Sequence, residues 1–147
     1  MLGLAETLRT HSGFVEVVAS LREGHGGTIG GTWGSSSALT AAALSESLAA
    51  TLTTAPGMLV VVLPHAADAD SFADDLPLFT SSPIALLPAL ESLNDDRTAN
   101  DPAASARLSL VKRLTMPSGD PSMPAAPAII VTSIQALLAP LADPREI

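Results

Sequence analysis

Three short apolar runs constrain this chain most: Met58-Leu59-Val60-Val61-Val62-Leu63, Ile84-Ala85-Leu86-Leu87-Pro88 and Ala128-Ile129-Ile130-Val131-Thr132. None alternates apolar with polar residues. A strand of that kind is expected where both faces are covered. The stretches between the runs have helical period. Ala69, Phe72, Ala73 and Leu76 share one face between the first run and the second. Asp68 and Asp70 stand near the start of that helix, where the positive end of the dipole favours acids. Ala104, Leu108, Val111 and Leu114 line a second helix, with Arg107, Lys112 and Arg113 off its apolar face. Asp101-Pro102 opens it in cap-then-proline order. After the third run, Ser133 caps a short helix that Pro140 stops. Strands alternating with helices in this way imply right-handed βαβ units. The predicted fold is α/β and three-layered: a mainly parallel sheet with helices on both faces.

Upstream, Thr28-Ile29 reads as another short strand. Gly30-Gly31-Thr32-Trp33-Gly34-Ser35-Ser36-Ser37-Ala38 follows as a glycine-rich turn. An alanine- and leucine-rich helix to about residue 52 comes next, with Leu44, Leu48 and Leu52 on its buried side. Strand, turn and helix make the layout of a phosphate-binding loop, G-x-x-x-x-G-K-[ST]. Aligned from Gly31, the turn keeps Gly31 and Gly34, with Ser35 next. Ser36 stands where the second glycine belongs, Ser37 where the lysine belongs and Ala38 where the hydroxyl belongs. No point charge remains for the β/γ-phosphates and no protein ligand for Mg²⁺. The turn therefore reads as a vestigial phosphate loop with no cofactor. A nucleotide- or phosphoester-binding α/β domain with a non-standard loop is the alternative. Gly34-Ser35-Ser36-Ser37-Ala38 also comes close to a hydrolase nucleophile elbow. That chemistry needs an acid and then a histidine downstream; the last histidine is His65, and Glu46 is the one carboxylate between Ser36 and it. No catalytic residue is expected. Trp33, inside the turn, is either a docking point for a neighbouring domain or packed on its own sheet edge. The acids Glu91, Asp95, Asp96 and Asp101 match no calcium-loop spacing and read as a solvated loop.

Residues 1–24 have helical period, with Phe14, Val17, Val18 and Leu21 on one face and Ser12 as a candidate cap. Gly24-His25-Gly26-Gly27 ends that segment. Prolines at 117, 121, 124 and 127 mark a surface connection. The expected organisation is an amino-terminal helical segment (1–27), an α/β domain (28–140) and the start of a linker to a following domain (141–147).

Composition narrows the function further. The net charge is −8, and the seven Lys and Arg form no dense run. With no tyrosine and one tryptophan, the chain shows neither a basic stripe nor a stacking platform for nucleic acid. It has no cysteine, and His11, His25 and His65 are far apart, so no metal site is expected. No apolar run reaches the roughly 18 residues of a membrane span. The first residues lack the basic segment of a secretory signal. The expected location is the cytoplasm, without a membrane.

Four pieces, in this order and spacing, carry a likeness to a known family. They are the turn at 31–38; Leu59-Val60-Val61-Val62 with the acidic helix ending Ala73-Asp74-Asp75-Leu76-Pro77-Leu78-Phe79; Leu87-Pro88-Ala89-Leu90-Glu91-Ser92-Leu93-Asn94-Asp95-Asp96-Arg97, with Pro102 and Arg107-Leu108 downstream; and Ile129-Ile130-Val131-Thr132-Ser133-Ile134-Gln135-Ala136-Leu137-Leu138. Over about residues 28–140 the chain resembles the amino-terminal module of bacterial transcription-repair coupling factors. It departs from the family at Leu90, where an aromatic is usual, and at Asn94, where Pro-Tyr more often precedes the aspartate. The resemblance implies a degenerate, P-loop helicase-like domain, similar to the excinuclease B subunit, that has lost ATP binding. It implies a non-catalytic scaffold that would contact other domains of a parent chain. The parent would be an ATP-dependent DNA translocase that displaces stalled RNA polymerase and recruits excinuclease A. Trp33, Glu91, Asp95, Asp96 and Arg97 are the candidate interaction residues.

Overall fold

The computed structural model describes residues 3–50, 57–90, 101–115 and 125–141. Its centre is a parallel sheet of three strands, β1 (Leu59–Leu63), β2 (Ile84–Leu87) and β3 (Ile129–Ser133), in the spatial order β1-β3-β2. Val60 and Ala85 both pair with Ile130, and Val61 and Leu86 both pair with Val131. The last strand in the chain is thus the central one, and all five of its residues are buried.

This order dictates where the helices lie. Helix α4 (Ala66–Asp75) carries the chain from β1 past β3 to β2, and α5 (Pro102–Thr115) carries it back to β3. Two crossovers of the same hand that step in opposite directions must use opposite faces. The packing agrees. Ala69, Phe72 and Leu76 join Ile129 and Val131 on one face, whereas Leu110 of α5 and Ala136 of α6 (Ile134–Leu138) join Ile130, Ala85 and Leu87 on the other. Residues 129–131 of one strand feed both cores because successive side chains point to opposite faces. The chain is therefore a mixed α/β protein with a small parallel sheet flanked by helices.

Helix α3 (Ser35–Ala49) completes the first face. Ala38, Ala41 and Ala42, with no bulk beyond a methyl, approach Leu76 and Phe79 closely. Leu44 and Leu48 are only half-buried, so the alanines rather than the leucines carry this contact. Residues 3–22 form two helices, α1 (Gly3–Arg9) and α2 (Ser12–Arg22), which pack on the outer side of α3 through Ala5, Phe14, Val18 and Ala43. The continuous apolar period predicted one helical segment. A break intervenes because Thr10 and His11 turn tightly, their amides bonding to Thr7 and Leu8 carbonyls three residues back. Ser12 lies inside α2 rather than capping it; the flanking position is His11. At the other end Gly24 takes φ +81°, the left-handed conformation expected of a helix-terminating glycine.

Two sequence expectations about burial fail for identifiable reasons. The first strand was expected to be covered on both sides, but β1 alternates, with Val60 and Val62 each 46% exposed. It is an edge strand, and α5 reaches only over β2 and β3. On α5 the buried residues are Arg107, Leu110 and Val111, while Leu108 and Leu114 face outward. The helix is rotated from its apolar prediction because Arg107 has an inward role, described below.

Candidate functional site

The glycine-rich turn differs from a phosphate loop in three respects. Thr28 and Ile29 form no strand and pair with nothing in the sheet, so no strand feeds the turn. A two-residue segment flanked by glycines had no third residue to fix a register. Second, α3 begins at Ser35, so Ser35, Ser36 and Ser37 make its first turn instead of wrapping around an anion. Gly34 precedes it at φ 50°, ψ −131°, a conformation open in practice only to glycine. Third, the turn sits at the wrong end of the sheet. Ser35 Oγ donates to Asp75 Oδ2 at 2.7 Å, and Asp75 is the last residue of α4. At 1.5 Å per residue, the length of α4 separates that contact from the carboxyl end of β1 by roughly 15 Å. Phosphate loops lie at the carboxyl ends.

Two serine side chains of the turn, Ser35 and Ser36, already have partners. Ser36 Oγ accepts from the Trp33 amide at 2.7 Å and donates to the Trp33 carbonyl at 2.8 Å. Thr40 Oγ1 donates to the Ser36 carbonyl at 2.8 Å. Ala38 is fully buried in the core, where a hydroxyl for Mg²⁺ would have no access. His11 and Ser36 line one groove between α2 and the turn. The Ser36 hydroxyl is nevertheless held by Trp33, and no carboxylate lines that groove to orient a histidine. Trp33 projects outward and is 82% exposed, so it does not pack on a sheet edge. Glu91, Asp95, Asp96 and Arg97 lie outside the described residues.

A different place has the geometry of a ligand site. At the carboxyl ends of β2 and β3 the chain leaves β1 for one face, through α4, and β2 for the other, through α5. Where neighbouring connections diverge in this way, open α/β sheets form their ligand crevice. Here a cavity of about 290 Å³ opens between Ala66, Ala69 and Asp70 of α4, residues 86–90 at the exit of β2, Asp101–Ala103 at the start of α5, and Ser133. Asp101 Oδ1 accepts from the Ala103 amide at 2.8 Å, the cap that the Asp-Pro pair predicted. Ser133 Oγ accepts from the Ala136 amide at 3.2 Å and caps α6, also as predicted. Sequence reasoning assigned these residues as caps but did not bring them together. The lining residues span more than sixty positions, from Ala66 to Ser133, and only the strand order makes them neighbours.

Beside this cavity, Arg107 is 4% exposed and has no carboxylate partner among the described residues. Its Nη1 donates to the carbonyls of Pro88 at 2.7 Å and Ala136 at 3.1 Å. Its Nη2 donates to those of Ala139 at 3.0 Å and Pro140 at 3.2 Å. Burial lowers its pKa from the ordinary arginine value. The guanidinium thus fixes the exit of β2, the end of α6 and the chain beyond it to α5.

No family model, curated protein or solved structure matches the chain. Among the described residues no group of three or more His, Asp or Glu side chains comes together as a metal site. No helix there is long and apolar enough to cross a membrane.

Proposed function

We propose that this chain is a non-catalytic α/β scaffold, the amino-terminal module of a transcription-repair coupling factor, with a vestigial nucleotide loop. Its role would be to hold and dock other domains of a larger DNA translocase that displaces stalled RNA polymerase and recruits excinuclease A. The observation that carries the scaffold reading is the half-exposed face of the edge strand β1. Val60 and Val62 on β1, each 46% exposed, and Met58 just before the strand, 44% exposed, stand in a row. They share a face with Ile130, which is buried. A contiguous apolar strip on a strand edge marks a contact surface rather than a solvated one. Trp33 adds a second exposed anchor of the residue type that dominates binding energy at interfaces. The family in this proposal rests on the order of the motifs at residues 31–38, 59–79, 87–108 and 129–138. The lost lysine position, the capped Ser36 hydroxyl and the placement of the turn at the far end of α4 all support the absence of nucleotide chemistry.

Calorimetric titration of the chain with ATP and Mg²⁺ tests this reading. A scaffold gives no binding heat at micromolar ligand. Saturable heat lost on Gly34→Asp would establish the competing nucleotide-binding domain and remove the scaffold reading.

A further inference from the structure

The cavity at the carboxyl ends of β2 and β3 is independent of the docking strip and of the glycine-rich turn, and its walls select one ligand chemistry. Its sides are apolar: Ala66, Ala69, Leu86, Leu87, Ala89 and Leu90. Its charged side-chain atoms, the carboxylates of Asp70 and Asp101, are acceptors, and the Ser133 hydroxyl is its one neutral side-chain donor among the described residues. Asp70 has no hydrogen-bond or ion-pair partner among the described residues, and Asp101 uses only Oδ1, for the Ala103 amide. The Ser133 oxygen already accepts a backbone amide. Arg107, beside the cavity, turns its donors to carbonyls, including that of Pro88 in the cavity wall. Among the described residues no lining side chain is a cationic donor. The first turns of α4 and α5 carry only partial positive charge, about half a unit each. Two carboxylates outweigh them, on a chain whose net charge of −8 also draws cations in.

We propose that this cavity binds a compact organic cation: an ammonium or guanidinium group on a short alkyl stem, the stem against the alanine and leucine walls and the head between Asp70 and Asp101. At about 290 Å³ it holds a group of that size and not a nucleotide.

The test is an amide-shift NMR titration of the intact chain with n-butylammonium and n-butylguanidinium, using n-butanol as the uncharged control. Saturable shifts confined to residues around 66–70, 86–90, 101–103 and 133 are expected for the cations, with butanol at least about fivefold weaker. Asp70→Asn should weaken the cations by about fivefold and leave butanol unchanged, the effect of one half-exposed charge pair. Asp101→Asn should act similarly while still capping α5, since asparagine caps as well as aspartate. Ala66→Leu, at an exposed wall position, should abolish the shifts by filling the mouth. Butanol binding as tightly as the cations, cation affinity indifferent to both asparagine variants, or no saturable shift would each overturn the proposal. A peptide carrying one lysine, titrated in parallel, separates the two sources of such a group. Equal affinity places a protein side chain in the cavity; at least tenfold weaker binding assigns it to a free amine.

Discussion

Replacing Arg107 by methionine removes the cation but keeps most of the stem. The wild-type guanidinium makes four hydrogen bonds, at 2.7, 3.1, 3.0 and 3.2 Å. Bonds from a charged donor are worth about 1.5–3 kcal/mol each, a gross total of roughly 6–12 kcal/mol. Withdrawing the guanidinium from water offsets several kcal/mol of that. In the variant, water can reach the part-buried carbonyls of Pro88, Ala139 and Pro140. The bond to Ala136 is buried, and that carbonyl would be left unmet at a cost of about 1–3 kcal/mol. The net loss is about 3–4 kcal/mol, a large share of the 5–15 kcal/mol that holds a domain of this size. Arg107→Lys should lose about half as much, because one ammonium cannot span four carbonyls. Urea unfolding measures both variants. Hydrogen exchange adds a local signature. Helix α6 has five residues, well short of independent stability, so its amides should lose protection more than those of α3 in Arg107→Met. A methionine variant within 1 kcal/mol of wild type, or a lysine variant as damaged as it, would refute the carbonyl cage as the anchor of α6. Stability from this residue should also stay flat from about pH 5 to 9. The lowered pKa makes the native state release its proton first as pH rises, so the linkage acts only at strongly alkaline pH and raises stability there.

Restoring the missing lysine with Ser37→Lys should leave ATP–Mg²⁺ calorimetry flat, because the turn lacks its strand and sits at the far end of α4; saturable heat from that one change would show that the cradle was intact. Ser133→Ala removes the oxygen that caps α6 and should cost about 0.5–2 kcal/mol in a thermal melt; no change would mean that the cap is dispensable beside Arg107. Val60→Thr and Val62→Thr together should cost under about 1 kcal/mol in the isolated chain, since both side chains are nearly half exposed. A loss above 2 kcal/mol in urea would show the strip to be covered within this chain. The chain has no cysteine, so Val62→Cys supplies a single thiol. It should react freely in the isolated chain and at least tenfold more slowly in a parent protein that docks on it, and equal rates would argue against the strip as an interface.

Most of the elements were legible because their signals are local. Apolar runs gave β1, β2 and β3 to within a residue, and the cap residues Asp101 and Ser133 act as their positions predict. The failures are those where local signal competes with placement. The glycines around Thr28-Ile29 looked like a strand entering a loop, but a strand exists only through a partner, which two residues did not secure. The period of α5 pointed Leu108 and Leu114 inward, but the demand of four carbonyls at the ends of β2 and α6 turned Arg107 in. Nothing in a sequence window records those carbonyls. The cavity at the strand ends was missed for the same reason, since its walls come from four elements with no common motif.

One topological fact produces both surfaces assigned here. With β3 in the middle, the crossovers from β1 and from β2 must take opposite faces, and the divergence opens a crevice above β3. The same arrangement gives the sheet unequal cover. Helices α3 and α4 span the first face, where Leu59, Val61 and Leu63 pack inward. On the second face α5 and α6 bury Ala85, Leu87 and Ile130 and stop short of Val60 and Val62. Neighbouring strands lie about 4.8 Å apart and a helix with its side chains is about 10 Å wide, so one long helix covers about two strands. The third strand on that face needs one further element of about that width. A scaffold whose role is to be completed by another domain would be left open in that way, along one strand and on one face.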